Sequence, residues 1–201
     1  MTEVMTSADK RLMVIEGGPR PDGISGQMLQ CFLRALTDGA DTPSLSFCRY
    51  RAYDCGFAPC TDCRVCRTQE GCVYHDMDDF FADFASVDGI IIASPIYHMS
   101  FPAPLKGIMD RMQRYYNARF YLQKRPPIAR HRPAVLLLSA GSPDETGEMA
   151  LKQWERLFTV THCTLLTHCI ARGTDQMTDE TLPQKLVREL QLEAGFFMKN
   201  V

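Results

Sequence analysis

A chain of 201 residues with 45% apolar content can bury one sizeable core and little more, so a single domain over 1–201 is expected. Its 22 basic and 24 acidic residues nearly cancel, which leaves no electrostatic footprint for nucleic acid or an anionic membrane and favours small-molecule chemistry. The opening MTEVMTSADKRLMVIEGG lacks the pattern of a signal peptide, and no apolar run reaches the roughly 20 residues a membrane span needs, so a cytoplasmic protein is expected.

In chain order, RLMVIEGG (11–18) is an apolar run that predicts a strand, followed by a helix-period segment at about 25–38. SLSFCRY (44–50) predicts a second strand. Some 25 residues then intervene, a cysteine-rich insertion at about 53–75, before a helix over 77–86 that Asp76, Asp78 and Asp79 head. GIIIASP (89–95) and a helix at 103–117 come next, then a basic and aromatic elaboration at about 112–132. From Arg111 to Pro143 there is no acid, but Arg114, Arg119, Lys124, Arg125, Arg130 and Arg132 lie among Tyr115, Tyr116, Phe120 and Tyr121. PAVLLLSAG (133–141), a helix at 145–161, TLLTHCIARG (164–173) and a helix at 181–197 complete the chain. Continuous apolar strands alternating with helices predict an open, doubly wound α/β sheet, whose ligands bind beyond the carboxyl ends of the strands.

The loop after the first strand, GGPRPDGISGQML (17–29), opens a helix near Ser25. A helix start offers unpaired N–H groups and a positive dipole end to an anion, so a phosphate suits it. Its spacing fits neither G-x-G-x-x-G nor G-x-x-x-x-G-K-[ST]. An ordinary Gly/Pro turn capped by Ser25 is the plainer alternative.

The stretch APCTDCRVCRTQEGC (58–72) places Cys60, Cys63, Cys66 and Cys72 within thirteen positions. Reducing conditions in the cytoplasm disfavour disulfides. A zinc site ordinarily joins two ligand pairs across a longer gap. Two successive intervals of three, then a longer gap that turns at Gly71, match the C-x2-C-x2-C run whose thiolates converge on a [4Fe–4S] cluster. Iron–sulfur leads, with zinc and free or oxidised thiols as alternatives. Arg64 and Arg67 are candidates to offset the cluster's charge, and Cys55 is a candidate substitute ligand. Cys31, Cys48, Cys163 and Cys169 read as small buried apolar residues.

The phosphate loop resembles the G-S-P-R-x-x-G-N-[ST] loop of the flavodoxin-like NADPH-dependent FMN reductases, and GIIIASPIYHMSFPAPLKGIMDR (89–111) is similar to that family's second flavin loop, with its S-P-x-Y and L-K-x-x-x-D-R. With the cysteine stretch, the chain resembles the iron–sulfur flavoprotein branch, most closely over residues 11–111. The resemblance implies a flavodoxin-like five-stranded parallel sheet of order 2-1-3-4-5. It implies that Pro19, Arg20 and Ser25 line the FMN phosphate with the backbone from Asp22 through Gly23 to Gly26. Ser94, Pro95, Ile96, Tyr97 and His98 would take the flavin ring, with Tyr97 covering its face. Gly141, in SAGSPDETG (139–147), would let the backbone approach the ring, although a plain capped turn explains that loop equally well. Gly18 and Ile24 stand where the family usually has serine and asparagine. Each missing donor to a charged phosphate lowers affinity by about 1.5–3 kcal/mol. His98 is the one candidate proton donor, and no catalytic residue is otherwise assigned.

The expected function is that of an FMN-dependent oxidoreductase with a [4Fe–4S] cluster on Cys60, Cys63, Cys66 and Cys72, passing electrons from a reduced donor to a small acceptor. NAD(P)H or a ferredoxin-like protein is the candidate donor, and the basic stretch is a candidate surface for either. The family implies a homodimer or homotetramer. A cluster-free NAD(P)H-dependent FMN or quinone reductase is the alternative, and an electron carrier or thiol redox sensor is a further one. A flavodoxin-type carrier would be more acidic than this chain.

Overall fold

The computed structural model describes residues 9–38, 44–177 and 181–201; the first eight residues, part of the segment searched for a signal peptide, lie outside them. The order is β1 (Lys10–Glu16), α1 (Ile24–Thr37), β2 (Leu45–Arg51), α2 (Asp78–Ser86), β3 (Gly89–Pro95), α3 (Ala103–Arg111), α4 (Gln113–Phe120), β4 (Arg132–Ser139), α5 (Glu148–Thr161), β5 (Cys163–Ala171) and α6 (Gln184–Met198). All pairings are parallel, and the sheet order is β2-β1-β3-β4-β5, the expected flavodoxin-like arrangement.

Side chains alternate across a strand, so each central strand feeds two cores. Met13, Ile15, Ile90, Ile92, Leu136 and Leu138 face Phe84, Leu105, Ile108, Trp154 and Phe158 of α2, α3 and α5. Leu12, Val14, Ile91, Val135 and Leu137 face Met28, Leu29, Phe32, Leu190 and Phe197 of α1 and α6. Each such aliphatic side chain contributes about 1.5–3 kcal/mol by leaving water. β3 is buried up to Pro95 and β4 throughout, whereas β2 and β5 stand at the sheet edges and are partly exposed. That is why SLSFCRY and TLLTHCIARG carry more polar residues than GIIIASP.

The helix expected over 103–117 tightens at Met112, whose N–H is shared between Ile108 O at 3.2 Å and Met109 O at 3.1 Å. The chain resumes as α4 and packs on a short 3-10 turn, Val65–Arg67, inside the cysteine insertion. No helix among the described residues is long and apolar enough to cross a membrane.

Candidate functional site

α1 starts without a side-chain cap: Gly23 occupies the N-cap position, and Gln27 N–H to Gly23 O at 2.9 Å is the first helical bond. The amides of Ile24, Ser25 and Gly26 therefore have no acceptor within the helix, and they supply the positive end of its dipole. Ser25 is buried at 6% exposure and does not cap, so the plain capped-turn alternative does not describe this helix start. Gly26 is required for the loop to close, because a Cβ there would sit 1.9 Å from Pro21 O.

This helix start opens into a cavity of about 530 Å³ lined by Gly18, Pro19, Arg20, Gly23, Ile24, Ser25, Pro95, Ile96, Tyr97, Ser139, Gly141, Thr174, Asp175 and Met177. The loops after β1, β3, β4 and β5 thus converge at the carboxyl edge of the sheet, beside the point where strand order reverses between β1 and β3. Of the residues expected to hold a flavin, Pro19, Arg20, Gly23, Ser25, Pro95, Ile96, Tyr97 and Gly141 line the cavity. Asp22, Gly26, Ser94 and His98 do not. Asp22 is exposed at the loop tip, and Gly26 is packed under Pro21. Ser94 is fully buried behind the cavity with its hydroxyl donating to Pro95 O at 2.9 Å. His98 is exposed, in a tight turn closed by Tyr97 and Ser100, where His98 and Met99 both have positive φ. The Ile96 and Tyr97 amides are engaged inside the fold, on Ser139 O at 2.7 Å and Ser100 O at 2.9 Å.

Sequence reasoning missed Ser139, Thr174, Asp175 and Met177. The last three follow β5 on a turn held to the β4 exit by Thr174 N–H to Ala140 O at 3.0 Å and Gly173 N–H to Ser142 O at 3.2 Å. Gly141 is needed for a different reason from the one expected: a Cβ there would lie 2.3 Å from the Asp175 carboxylate, so Asp175 fills the space beside it. The Gly after β5 and the parallel topology were the available signals for this loop. A Cβ on Gly18 would meet Pro95 Cδ and the Ser25 hydroxyl, each at 3.1 Å, so the serine usual in the family has little room here.

The insertion after β2 leaves the same edge of the sheet. Cys60, Cys63, Cys66 and Cys72 line one small concavity with Thr61, Asp62, Arg64, Tyr74, Arg111, Gln113, Arg114 and Asn117. Cys55 lines a separate one with Glu16, Arg49, Tyr50 and Arg51. Arg111, 2% exposed, closes the base of the insertion: Nη1 donates to Ala58 O at 2.6 Å, and Nη2 donates to Tyr74 O at 3.0 Å and Asp76 Oδ1 at 2.7 Å. Asp76 Oδ2 in turn accepts Ala58 N–H at 2.6 Å. The Arg111 guanidinium holds the Asp76 carboxyl below the usual carboxylate range against its partial burial.

Two observations bear on what the thiols can hold. No three His, Cys, Asp or Glu side chains among the described residues are gathered tightly enough for a single metal ion. The second is a set of buried polar atoms without partners among the described residues: Arg111 Nε, Arg114 Nη1 and Asn117 Oδ1, all in residues lining the cysteine concavity. A buried unpaired polar group costs about 1–3 kcal/mol, more when charged. Arg111 Nε and Arg114 Nη1 are cationic donors beside four thiols and suit an anionic group on the sulfurs, whereas Asn117 Oδ1 is an acceptor and Asp62 also lines the concavity. Of the two arginines expected in that role, Arg64 lines the concavity and pairs there with Asp62 at 3.2 Å, whereas Arg67 is not among the lining residues and stacks on Tyr121 at 4.6 Å.

The other cysteines are poor thiolates. Burial pushes Cys169 up to about 12 and raises Cys31, Cys48, Cys55 and Cys163 above the ordinary thiol value. The basic stretch is largely spoken for: Arg132 is fully buried and donates to Phe84 O at 2.6 Å, Arg130 pairs with Asp88 at 2.8 Å, Lys124 pairs with Glu70, and Arg114 stacks on Phe81 at 4.5 Å.

The family model described as NADPH-dependent FMN reductase matches residues 11–175. An iron–sulfur flavoprotein of Methanosarcina thermophila is 46% identical over 55 residues, 27% of this chain and 29% of that one. Iron–sulfur flavoprotein MJ1083 of Methanocaldococcus jannaschii is 31% identical over 103 residues, 50% of this chain and 51% of that one. The matches thus span about half or less of those relatives' length. Among solved structures, an NAD(P)H:quinone oxidoreductase from Methanothermobacter marburgensis superposes with TM-score 0.66 at 19% identity, covering 96% of this chain and 99% of that chain. An FMN-dependent NADH-azoreductase from Bacillus anthracis in complex with FMN gives 0.66 at 14% identity, covering 93% and 98%. These two are likenesses of fold. The chain belongs to the NADPH-dependent FMN reductase family, and over up to half of its length it is similar to relatives named iron–sulfur flavoprotein.

Proposed function

We propose that the protein is an FMN-dependent oxidoreductase in which a [4Fe–4S] cluster on Cys60, Cys63, Cys66 and Cys72 passes electrons between a reduced donor and a small acceptor. One observation carries the proposal. The cavity at the start of α1 and the cysteine concavity both belong to loops that leave the carboxyl edge of the same sheet, so two redox groups would share one side of the molecule.

The residues fit FMN. The amides of Ile24, Ser25 and Gly26 and the lining Arg20 suit a phosphate. Pro95, Ile96 and Tyr97 supply the apolar wall for a ring, with Tyr97 45% exposed and free to cover it. When bound, FMN supplies two-electron exchange with a hydride donor and the cluster supplies one-electron exchange. The chain's own part is to exclude water with Ile96 and Met177, to hold the anionic ends, and to fix the spacing of the two sites. NAD(P)H or a ferredoxin-like protein is the proposed donor and a quinone-like molecule the acceptor; the cytoplasm is the proposed compartment.

Assembly as a homodimer or homotetramer is part of the same proposal. Supporting it is an open, mainly apolar groove of about 610 Å³ between α3, α4 and α5, walled by Met109, Met112, Tyr116, Met149, Leu157 and Val160. A cluster-free NAD(P)H-dependent reductase is the competing function.

The test is an FMN titration of flavin-free protein followed by anaerobic reduction with NADPH and, separately, with reduced ferredoxin. The proposal expects one FMN per chain, weakened roughly tenfold in Arg20→Ala, about 1.4 kcal/mol. No flavin binding at all would overturn it.

A further inference from the structure

Arg111, Arg114 and Asn117 recur every three residues along α3 and α4, which places them on one helix face, and all three line the cysteine concavity. Each makes a different contact. Arg111 ties Ala58 O, ahead of Cys60, to Tyr74 O, beyond Cys72, so a single guanidinium fastens both ends of the thiol-bearing loop. Arg114 lies against the loop's turn, its Nη2 being 3.5 Å from where a Cβ on Gly71 would stand, while its Nη1 is buried with no partner among the described residues. Asn117, 2% exposed, donates from Nδ2 to Cys66 Sγ at 3.0 Å.

We propose that this helix face is the electrostatic seat of the cysteine loop: Arg111 positions the four thiols, and Arg114 and Asn117 set the reduction potential of the group they hold. It rests on the iron–sulfur reading given above. Each electron delivered to the site adds one negative charge, and no bond forms or breaks. A half-buried cation whose Nη1 is out of reach of water, together with an oriented amide, stabilises the more negative state, so the two raise the potential. Burial of Arg114 Nη1 and of Asn117 strengthens the effect, because water screens those atoms little. Arginine is suited to fastening two carbonyls and a carboxylate at once, since its planar fork presents donors in fixed directions that a lysine ammonium does not.

The experiment compares wild type, Arg114→Leu, Asn117→Leu and Arg111→Lys, each purified without oxygen, by iron and sulfide per chain, FMN per chain, thermal unfolding and an EPR-monitored redox titration. Arg114→Leu is expected to keep its iron and FMN while the reduced-to-oxidised ratio at a fixed potential falls about tenfold, a 59 mV negative shift for a one-electron couple. Asn117→Leu is expected to shift the same way by less. Arg111→Lys is expected to lose at least half its iron with FMN and folding retained. Wild-type iron with unchanged midpoints in Arg114→Leu and Asn117→Leu, or full iron in Arg111→Lys, would overturn the inference and leave the iron–sulfur reading standing. Wild type that takes up no iron would remove that reading and this inference together.

Discussion

Arg111 and Asp76 meet at 2.7 Å across the base of the cysteine loop, with the arginine side chain wholly buried and the aspartate side chain 28% exposed. The pair joins a helix of the core to the insertion that carries the thiols. It stands beside the Arg111 bonds to Ala58 O and Tyr74 O and the Asn117 bond to Cys66 Sγ as a tie between the helices and the cysteine loop.

A pH dependence follows from this pair. The Arg111 guanidinium lowers the Asp76 pKa from its ordinary 3.8, so the folded value lies below the unfolded one. The stability it contributes is therefore complete above that ordinary value and is lost as pH falls through the depressed folded value. Asp76→Asn is expected to lower stability near pH 7, with the deficit narrowing on acidification through that range. Urea unfolding of both proteins between about pH 7 and pH 3 measures it; a deficit independent of pH would show that the pair's charge contributes nothing.

Gly26→Ala is expected to open the first loop, because the new Cβ would overlap Pro21 O. Overpacking of this kind costs about 1–3 kcal/mol, and the displaced loop would carry Arg20 away from the α1 amides. Fluorescence titration with FMN should show affinity at least roughly tenfold weaker, about 1.4 kcal/mol. Wild-type affinity in this variant would mean that the phosphate does not sit at the start of α1.

Thiol labelling separates the two kinds of cysteine. In metal-free protein near neutral pH, Cys60 and Cys63 are exposed and should alkylate within minutes, whereas Cys163 and Cys169 are buried, with pKa values raised by burial, and should react only on unfolding. Peptide mass spectrometry reads each site. Equal labelling of Cys169 in the native protein would contradict the packing of β5 against α6.

The strands were legible because LMVI, GIIIAS and AVLLL are too apolar for a one-sided surface, and the alternation with helices selected the parallel sheet. The phosphate loop was legible from its glycines, and Arg20, Ser25, Pro95 and Tyr97, expected to hold FMN, line one cavity. His98 was not placed by its sequence neighbours: it is exposed in a tight turn at positive φ and is not among the residues that line the cavity. Asp175 and Arg111 were out of reach for another reason. Their roles depend on which distant backbone they meet, Gly141 for one and Ala58 with Tyr74 for the other, and a local pattern carries no record of a contact across 34 or 53 residues. The acid-free run from Arg111 read as a surface, yet Arg111 and Arg132 are among the largest fully buried side chains or nearly so.

The central claim is that the cysteine loop holds an iron–sulfur cluster beside a flavin. Its most direct test is an absorption spectrum with iron, sulfide, zinc and FMN counts on protein purified without oxygen, for wild type and Cys63→Ala. The account predicts about four irons and four sulfides with one FMN per chain in the wild type, the iron lost and the FMN kept in the variant. One FMN with no iron in the wild type would contradict it and leave a flavin reductase with a thiol or zinc loop.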